Sequence, residues 1–221
     1  MKYYIASCVF TAQFPELSQR IQDYVTSRFD LEVVRCCVGQ YKVREFEEIM
    51  PDNNRKRWAS LPDSGRFQPG DTVYSLCHNC NNIIEEQHPG VGIHTLWELI
   101  DQDAEFLLPD YVGLTATVQD CWRSRDRHEE QAAVRSLLRK MRIDYAEAPE
   151  NHEHTEFCGV SLYRPQPPRN PKLAPKHYVD GAAGKFQGRY RQPLGRLKAG
   201  VTNHSCFCRA GTEVDQMAVC P

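Results

Sequence analysis

Five cysteines lie within the first 80 residues: Cys8, the adjacent pair Cys36-Cys37, and Cys77 and Cys80 of the turn Cys77-His78-Asn79-Cys80. A Cys-x-x-Cys turn lets two thiolates converge on one soft metal. Adjacent cysteines are awkward around a single tetrahedral zinc and more natural on a multi-iron cluster. The set therefore points to an iron-sulfur site. Taken alone, the Cys-x-x-Cys could be a thioredoxin-like dithiol, and it is the paired Cys36-Cys37 that favours a cluster. Five further cysteines follow, Cys121, Cys158, Cys206, Cys208 and Cys220, making ten in 221 residues. Among the histidines, His78 sits between two ligand candidates and could hydrogen-bond a cluster or substrate from outside the ligand set. His152 and His154, near Cys158, have spacing for a metal or a proton relay, His204 stands beside Cys206, and His94 reads as a helix-start residue.

The elements that must position these thiols are of mixed type. Residues 2 to 7 read as a short buried strand ending at Cys8, and Pro15-Glu16 opens a helix with Leu17, Ile21, Tyr24 and Val25 on one face. Leu31 to Val34 is a second strand running into Cys36-Cys37. A helix is expected over Val43 to Met50, a polar, turn-rich connection over Pro51 to Gly70, and a strand over Thr72 to Leu76. A helix over Asn79 to Gln87 follows, its N-terminal amides able to stabilise anionic sulfur, and Thr95 to Ile100 is a short amphipathic helix. The thiols thus fall at the C-terminal ends of strands, where open α/β sheets bind ligands. From Asp110 the order restarts, with a strand at Val112 to Val118 leading to Asp120-Cys121, a helix at Glu129 to Met141, and a strand at Ile143 to Ala146 before Phe157-Cys158-Gly159. This is the pattern of a diverged internal repeat, two α/β halves over residues 1–108 and 109–221.

Composition narrows the class. With 41% hydrophobic residues the chain can bury a core without disulfide staples, and the excess of cysteine then needs a metal or redox explanation. The N-terminal apolar run is too short for a signal peptide, and no segment approaches the roughly 20 apolar residues of a membrane helix, so a soluble cytoplasmic protein without a membrane span is expected. Net charge is −2, but from Gly159 to Ala210 ten Lys or Arg stand against one acid, Asp180. The Pro- and Gly-rich stretch 164–200 within that basic segment reads as irregular structure.

The thiol pattern resembles the cysteine-rich CCG domain found in heterodisulfide reductase and in related glycolate- and lactate-oxidation iron-sulfur proteins. That family carries, twice over, a cysteine, then Cys-Cys-Gly, then Cys-x-x-Cys. Cys8, Cys36-Cys37 with Gly39 displaced by one place, and Cys77-His78-Asn79-Cys80 match the first copy. In the second, Val118-Gln119-Asp120-Cys121 resembles the family's "HDPC" stretch and the run from Glu150 to Gly159 its "NxENSFCCG" stretch, so the likeness spans most of residues 1–162. The departures are Phe157, where a paired cysteine would stand, and the tighter Cys206-Phe207-Cys208 after a longer basic insert. The resemblance implies that Cys8, Cys36, Cys37, Cys77 and Cys80 hold a noncubane [4Fe-4S] cluster that passes electrons to, or reduces, a disulfide or thiol substrate. Cys121, Cys158, Cys206 and Cys208 could supply a second site for a cubane [4Fe-4S] cluster, a noncubane one or a zinc, with Cys220 a possible fifth ligand.

The chain has no ferredoxin-type cysteine run and no GxGxxG fingerprint, so electrons must come from a partner, expected to be a ferredoxin-like iron-sulfur subunit, a flavoprotein or both. An alternative of a different class is a non-catalytic module, stabilised by zinc or a cluster, whose basic tail contacts an acidic protein or nucleic acid. Tyr178, Phe186 and Tyr190 interleave with the basic residues, but no recognised nucleic-acid motif is present, and nucleic acid is the less expected partner.

Overall fold

All of Tyr3, Tyr4, Ile5 and Ala6 are buried, the signature of a strand covered on both faces at the centre of a parallel sheet. The computed structural model describes residues 1–36, 50–155 and 200–202. It divides into two compact units, Met1–Ala104 and Glu105–Pro221. Each is a mixed α/β unit built on a parallel sheet.

In the first unit, β1 (Lys2–Ala6), β2 (Glu32–Arg35), β3 (Thr72–Ser75) and β4 (Gly92–Thr95) form a four-stranded sheet in the order β2-β1-β3-β4. Every pairing is parallel, with Tyr4 opposite Val33 on one side and Tyr74 on the other. Two helices precede β2. The first is a short one, α1 (Cys8–Gln13), and the second is α2 (Pro15–Phe29), which opens with proline in its first turn and ends at Asp30 in the left-handed conformation (φ 53°). After β1 the chain crosses to β2 on one side, and β3 then returns to the other flank of β1. The direction of winding therefore reverses between β1 and β3, and such a switch point opens a crevice at the C-terminal edge of an α/β sheet.

The two faces of the sheet bury different residues, as the period-2 alternation of a strand requires. On one face Tyr4 packs with Phe10, Val25, Leu96 and Leu99, drawn from α1, α2 and α5 (Leu96–Gln102), and with Leu31 from the connection into β2. On the other, Tyr3, Ile5, Val34 and Val73 pack with Trp58 and Ile84, drawn from α3 (Asp52–Ser60) and α4 (His78–Gln87). Helix α5 starts from a capping box in which the Thr95 side chain accepts from the Glu98 backbone and the Glu98 carboxylate accepts from the Thr95 backbone.

Three expectations need correction. The stretch expected as a turn-rich connection contains α3: Asp52 and Arg57 complement the two ends of the helix dipole, and Trp58 anchors it by donating Nε1–H to the buried carbonyl of Ala6 at 2.9 Å. Cys8 is not the last residue of a strand but the first of α1, with Ser7 as its N-cap. His94 lies on β4 and not at a helix start, and its Nδ1 is 2.8 Å from Glu98 Oε2. The expected helix over Val43 to Met50 lies outside the described residues except for Met50, which is buried.

In the second unit, β5 (Thr115–Gln119) is flanked by β6 (Asp144–Glu147) and β7 (Gly200–Thr202), both parallel to it. Helix α6 (His128–Lys140) has Glu129 and Glu130 in its first turn, Arg139 and Lys140 in its last, and buries Val134, Leu137 and Leu138. Strand β7 takes up Gly200, the last residue of the stretch expected to be irregular. The rest of that stretch, from 164 to 199, lies outside the described residues.

Candidate metal centre

The parallel sheet of the first unit brings the C-terminal ends of β1, β2 and β3 to one edge, and the thiols follow those ends closely: Cys8 two residues after Ala6, Cys36 directly after Arg35, Cys77 two residues after Ser75. Cys80 comes in on the first turn of α4. All four are buried, between 3% and 7% exposed, and all four belong to the same core cluster as Trp58 and Ile84.

Their contacts run as a chain. The Cys36 sulfur accepts the backbone N–H of Cys8 at 3.2 Å. It also receives the Cys8 and Cys80 thiols, which hold its pKa well below the ordinary thiol value against the opposing effect of burial. Cys77 is lowered to about 7, first by the Cys80 thiol and then by the Cys80 backbone N–H, against the opposing effect of burial. Cys80, donating towards both Cys36 and Cys77 while deeply buried, is pushed well above the ordinary value. The links thus run from Cys8 to Cys36, to Cys80, to Cys77, with thiolate favoured on Cys36 and Cys77.

Buried thiols in a row are soft donors, and it is the thiolate, favoured here on Cys36 and Cys77 and disfavoured on Cys80, that binds a metal or acts as a nucleophile. A single zinc draws four ligands to one point. Among the described residues, no group of three or more His, Cys, Asp or Glu is arranged so that it could hold a metal ion. Cys37, the fifth expected ligand, lies outside the described residues.

Beyond the thiols, His78 is buried at 1% exposure as the first residue of α4, beside Cys77. Two residues that sequence reasoning passed over complete the pocket. Ser75 Oγ accepts the Cys77 backbone N–H at 3.1 Å and bonds Asn81 Oδ1, and Asn81 has no exposed surface. Asn81 Nδ2 is buried without a hydrogen-bond partner, a condition that costs about 1–3 kcal/mol when nothing else fills it. Their sequence signal is a serine two places before Cys77 and an amide directly after Cys80.

In the second unit Cys121 is buried at 2% exposure, at the start of a short turn after β5, and its carbonyl accepts both the backbone N–H and the hydroxyl of Ser124. Cys158, Cys206, Cys208 and Cys220 lie outside the described residues. What surrounds Cys121 is a buried ionic network. Asp120, fully buried, accepts two bonds from the Arg135 guanidinium (3.0 and 2.7 Å), and Glu147 accepts two more (2.8 and 2.7 Å). Asn151 ties the same corner together, accepting from Asp120 N and donating to Val118 O and Glu147. His152, on a left-handed backbone (φ 55°), donates its N–H to Asp120 Oδ2 and sets Nδ1 3.2 Å from Gln131 Oε1. His154 is exposed. This arrangement fastens α6 and the loop after β6 to the end of β5.

No family model matches the chain, and comparison with curated proteins and with solved structures gave no match either.

Proposed function

We propose that the chain is an iron-sulfur redox protein of the kind found in heterodisulfide reductase, with a noncubane [4Fe-4S] cluster on Cys8, Cys36, Cys37, Cys77 and Cys80. The observation that carries this reading is the convergence of four buried thiols, widely separated in sequence, at the ligand-binding edge of one parallel sheet. When bound, the cluster would accept and release single electrons. A disulfide substrate that takes two electrons and two protons leaves as two thiols. The electrons come from a ferredoxin-like subunit or a flavoprotein, and the setting that keeps the thiols reduced is the cytoplasm. Among the described residues no helix is long and apolar enough to cross a membrane. Cys121, Cys158, Cys206 and Cys208 are proposed as the second, diverged ligand set of an internal repeat.

A second reading is favoured by one observation: Cys77 caps the N-terminus of α4 with its pKa lowered to about 7, while Cys80 is buried and raised. That is also the polarity of a dithiol exchange site, in which the Cys77 thiolate attacks a disulfide and Cys80 resolves the mixed disulfide. Anaerobic purification followed by iron, sulfide and zinc analysis and EPR separates the two. The cluster reading expects a multi-iron EPR signal that Cys80→Ser abolishes; iron-free protein whose Cys77-Cys80 pair titrates with two electrons replaces it with the dithiol.

A further inference from the structure

We infer that Cys36 is a third thiol of the Cys77-Cys80 exchange site: its sulfur attacks Cys80 in the Cys77-Cys80 disulfide, so that oxidation by a low-molecular-weight disulfide ends on a buried Cys36-Cys80 bond and Cys77 returns to the thiol form. The inference rests on the dithiol reading above and needs no bound metal.

Cys80 is the middle member of the thiol contacts. Its thiol bonds towards both the Cys36 and the Cys77 sulfur. Thiol–disulfide exchange runs through one such central sulfur, which one sulfur attacks as another leaves. Cys36 reaches Cys80 from the end of β2, and Cys77 from the N-cap of α4. The Cys8 backbone N–H, donated to the Cys36 sulfur at 3.2 Å, holds that sulfur in place. Cys77 is the least buried of the three, 7% exposed against 4% for Cys36 and 3% for Cys80, so it meets the substrate first. So small an opening suits a disulfide carried on a slender, flexible molecule.

The steps balance. The Cys77 thiolate attacks a disulfide RSSR, forming the mixed disulfide of Cys77 with RS and releasing the first RS⁻. Cys80 gives up its proton and displaces the second RS⁻, forming Cys77-Cys80. The Cys36 thiolate then displaces Cys77 from Cys80. Two protein thiols are oxidised and RSSR is reduced to two RSH, while the last step exchanges one disulfide for another with no net electron transfer. The fold sets its direction. Cys77-Cys80 closes only a short ring, whereas Cys36-Cys80 joins segments far apart in sequence that the sheet brings together, and closing the longer loop stabilises the fold more.

The test uses the full chain, reduced anaerobically, freed of reductant and mixed with oxidised glutathione. Samples are quenched in acid at intervals, alkylated and mapped by tandem mass spectrometry, which separates Cys36 from Cys37. The parent should end on Cys36-Cys80 with Cys77 alkylated and two glutathione thiols released per chain. Cys36→Ser should release as much glutathione but stop at Cys77-Cys80. Cys80→Ser should stop at a glutathione mixed disulfide on Cys77, with half the release. The map of the parent decides the matter even where a variant fails to fold. A parent that ends on Cys77-Cys80 with Cys36 alkylated, or with Cys36 joined to any cysteine but Cys80, overturns the third-thiol inference and leaves the dithiol standing. A parent that releases no glutathione, or that is isolated with iron on these thiols, overturns the dithiol reading beneath it.

Discussion

Replacing Arg135 by methionine should loosen the second unit far more than an ordinary surface substitution. The guanidinium satisfies both oxygens of Asp120, whose side chain has no exposed surface, and also bonds Glu147 and the Gln131 carbonyl at 3.0 Å. Removing one member of a buried pair leaves the other charge uncompensated and costs about 3–5 kcal/mol. The Glu147 bond adds at most about 1 kcal/mol, because that carboxylate is 38% exposed and rehydrates. Methionine fills much of the vacated volume, so a cavity contributes little. Hydrogen exchange followed by mass spectrometry reads the effect locally, in peptides covering β5 and α6. A loss of 3–5 kcal/mol corresponds to exchange faster by about two to four orders of magnitude, at 1.36 kcal/mol for each factor of ten. Peptides of β1 and β3 should be unaffected. Combining Arg135→Met with Asp120→Asn should recover part of the loss, because the stranded charge is gone. An acceleration below about tenfold in the single variant, or a double variant as unstable as the sum of the singles, would refute the reasoning that this ion pair fastens the unit.

Two further outcomes follow from local geometry. Trp58→Phe keeps an aromatic in the core but removes the donor to Ala6 O, which should cost about 1–3 kcal/mol and lower the midpoint of urea unfolding of the first unit; an unchanged midpoint would show that the Cys36 N–H, 3.5 Å from the same carbonyl, satisfies it alone. Glu147 has its pKa depressed below the ordinary 4.5 by hydrogen bonding to Arg135. A depressed carboxylate contributes stability that is present above its ordinary pKa and lost as pH falls through the lower native value. Parent protein should therefore lose stability more steeply than Glu147→Gln below about pH 4.5, and parallel acid limbs would contradict this.

The sheet strands that carry the thiols were legible because they are short, β-branched or aromatic, and each runs directly to a cysteine: Tyr3 to Ala6, Glu32 to Arg35 and Thr72 to Ser75. Helix α2 was legible from its apolar spacing and Pro15. Helix α3 was not, because Asp52-Asn53-Asn54 reads as a turn when its residues are in fact the first turn of a helix held by the distant contact of Trp58 with Ala6. Strand β4 was missed because it is only four residues long and opens on Gly92 after a turn, too short for Ile93 and Thr95 to set up an alternating pattern, and it is strand through pairing with β3. At the candidate site, residue types and order marked Cys8, Cys36, Cys77 and Cys80 in advance. Periodicity could not show the chain of thiol contacts or the Ser75-Asn81 pair beneath it, since both depend on three strands and a helix meeting in space.

The central claim is that the first unit holds a multi-iron cluster. Its most direct test is the iron and sulfide content of anaerobically purified protein, measured beside Cys80→Ser and Cys121→Ser. The first site should give about four irons and about four sulfides per chain, rising to about eight of each if the second site also holds a cluster. The four of the first site should be lost in Cys80→Ser and retained in Cys121→Ser. Protein that contains zinc without iron, or no metal at all, would contradict it.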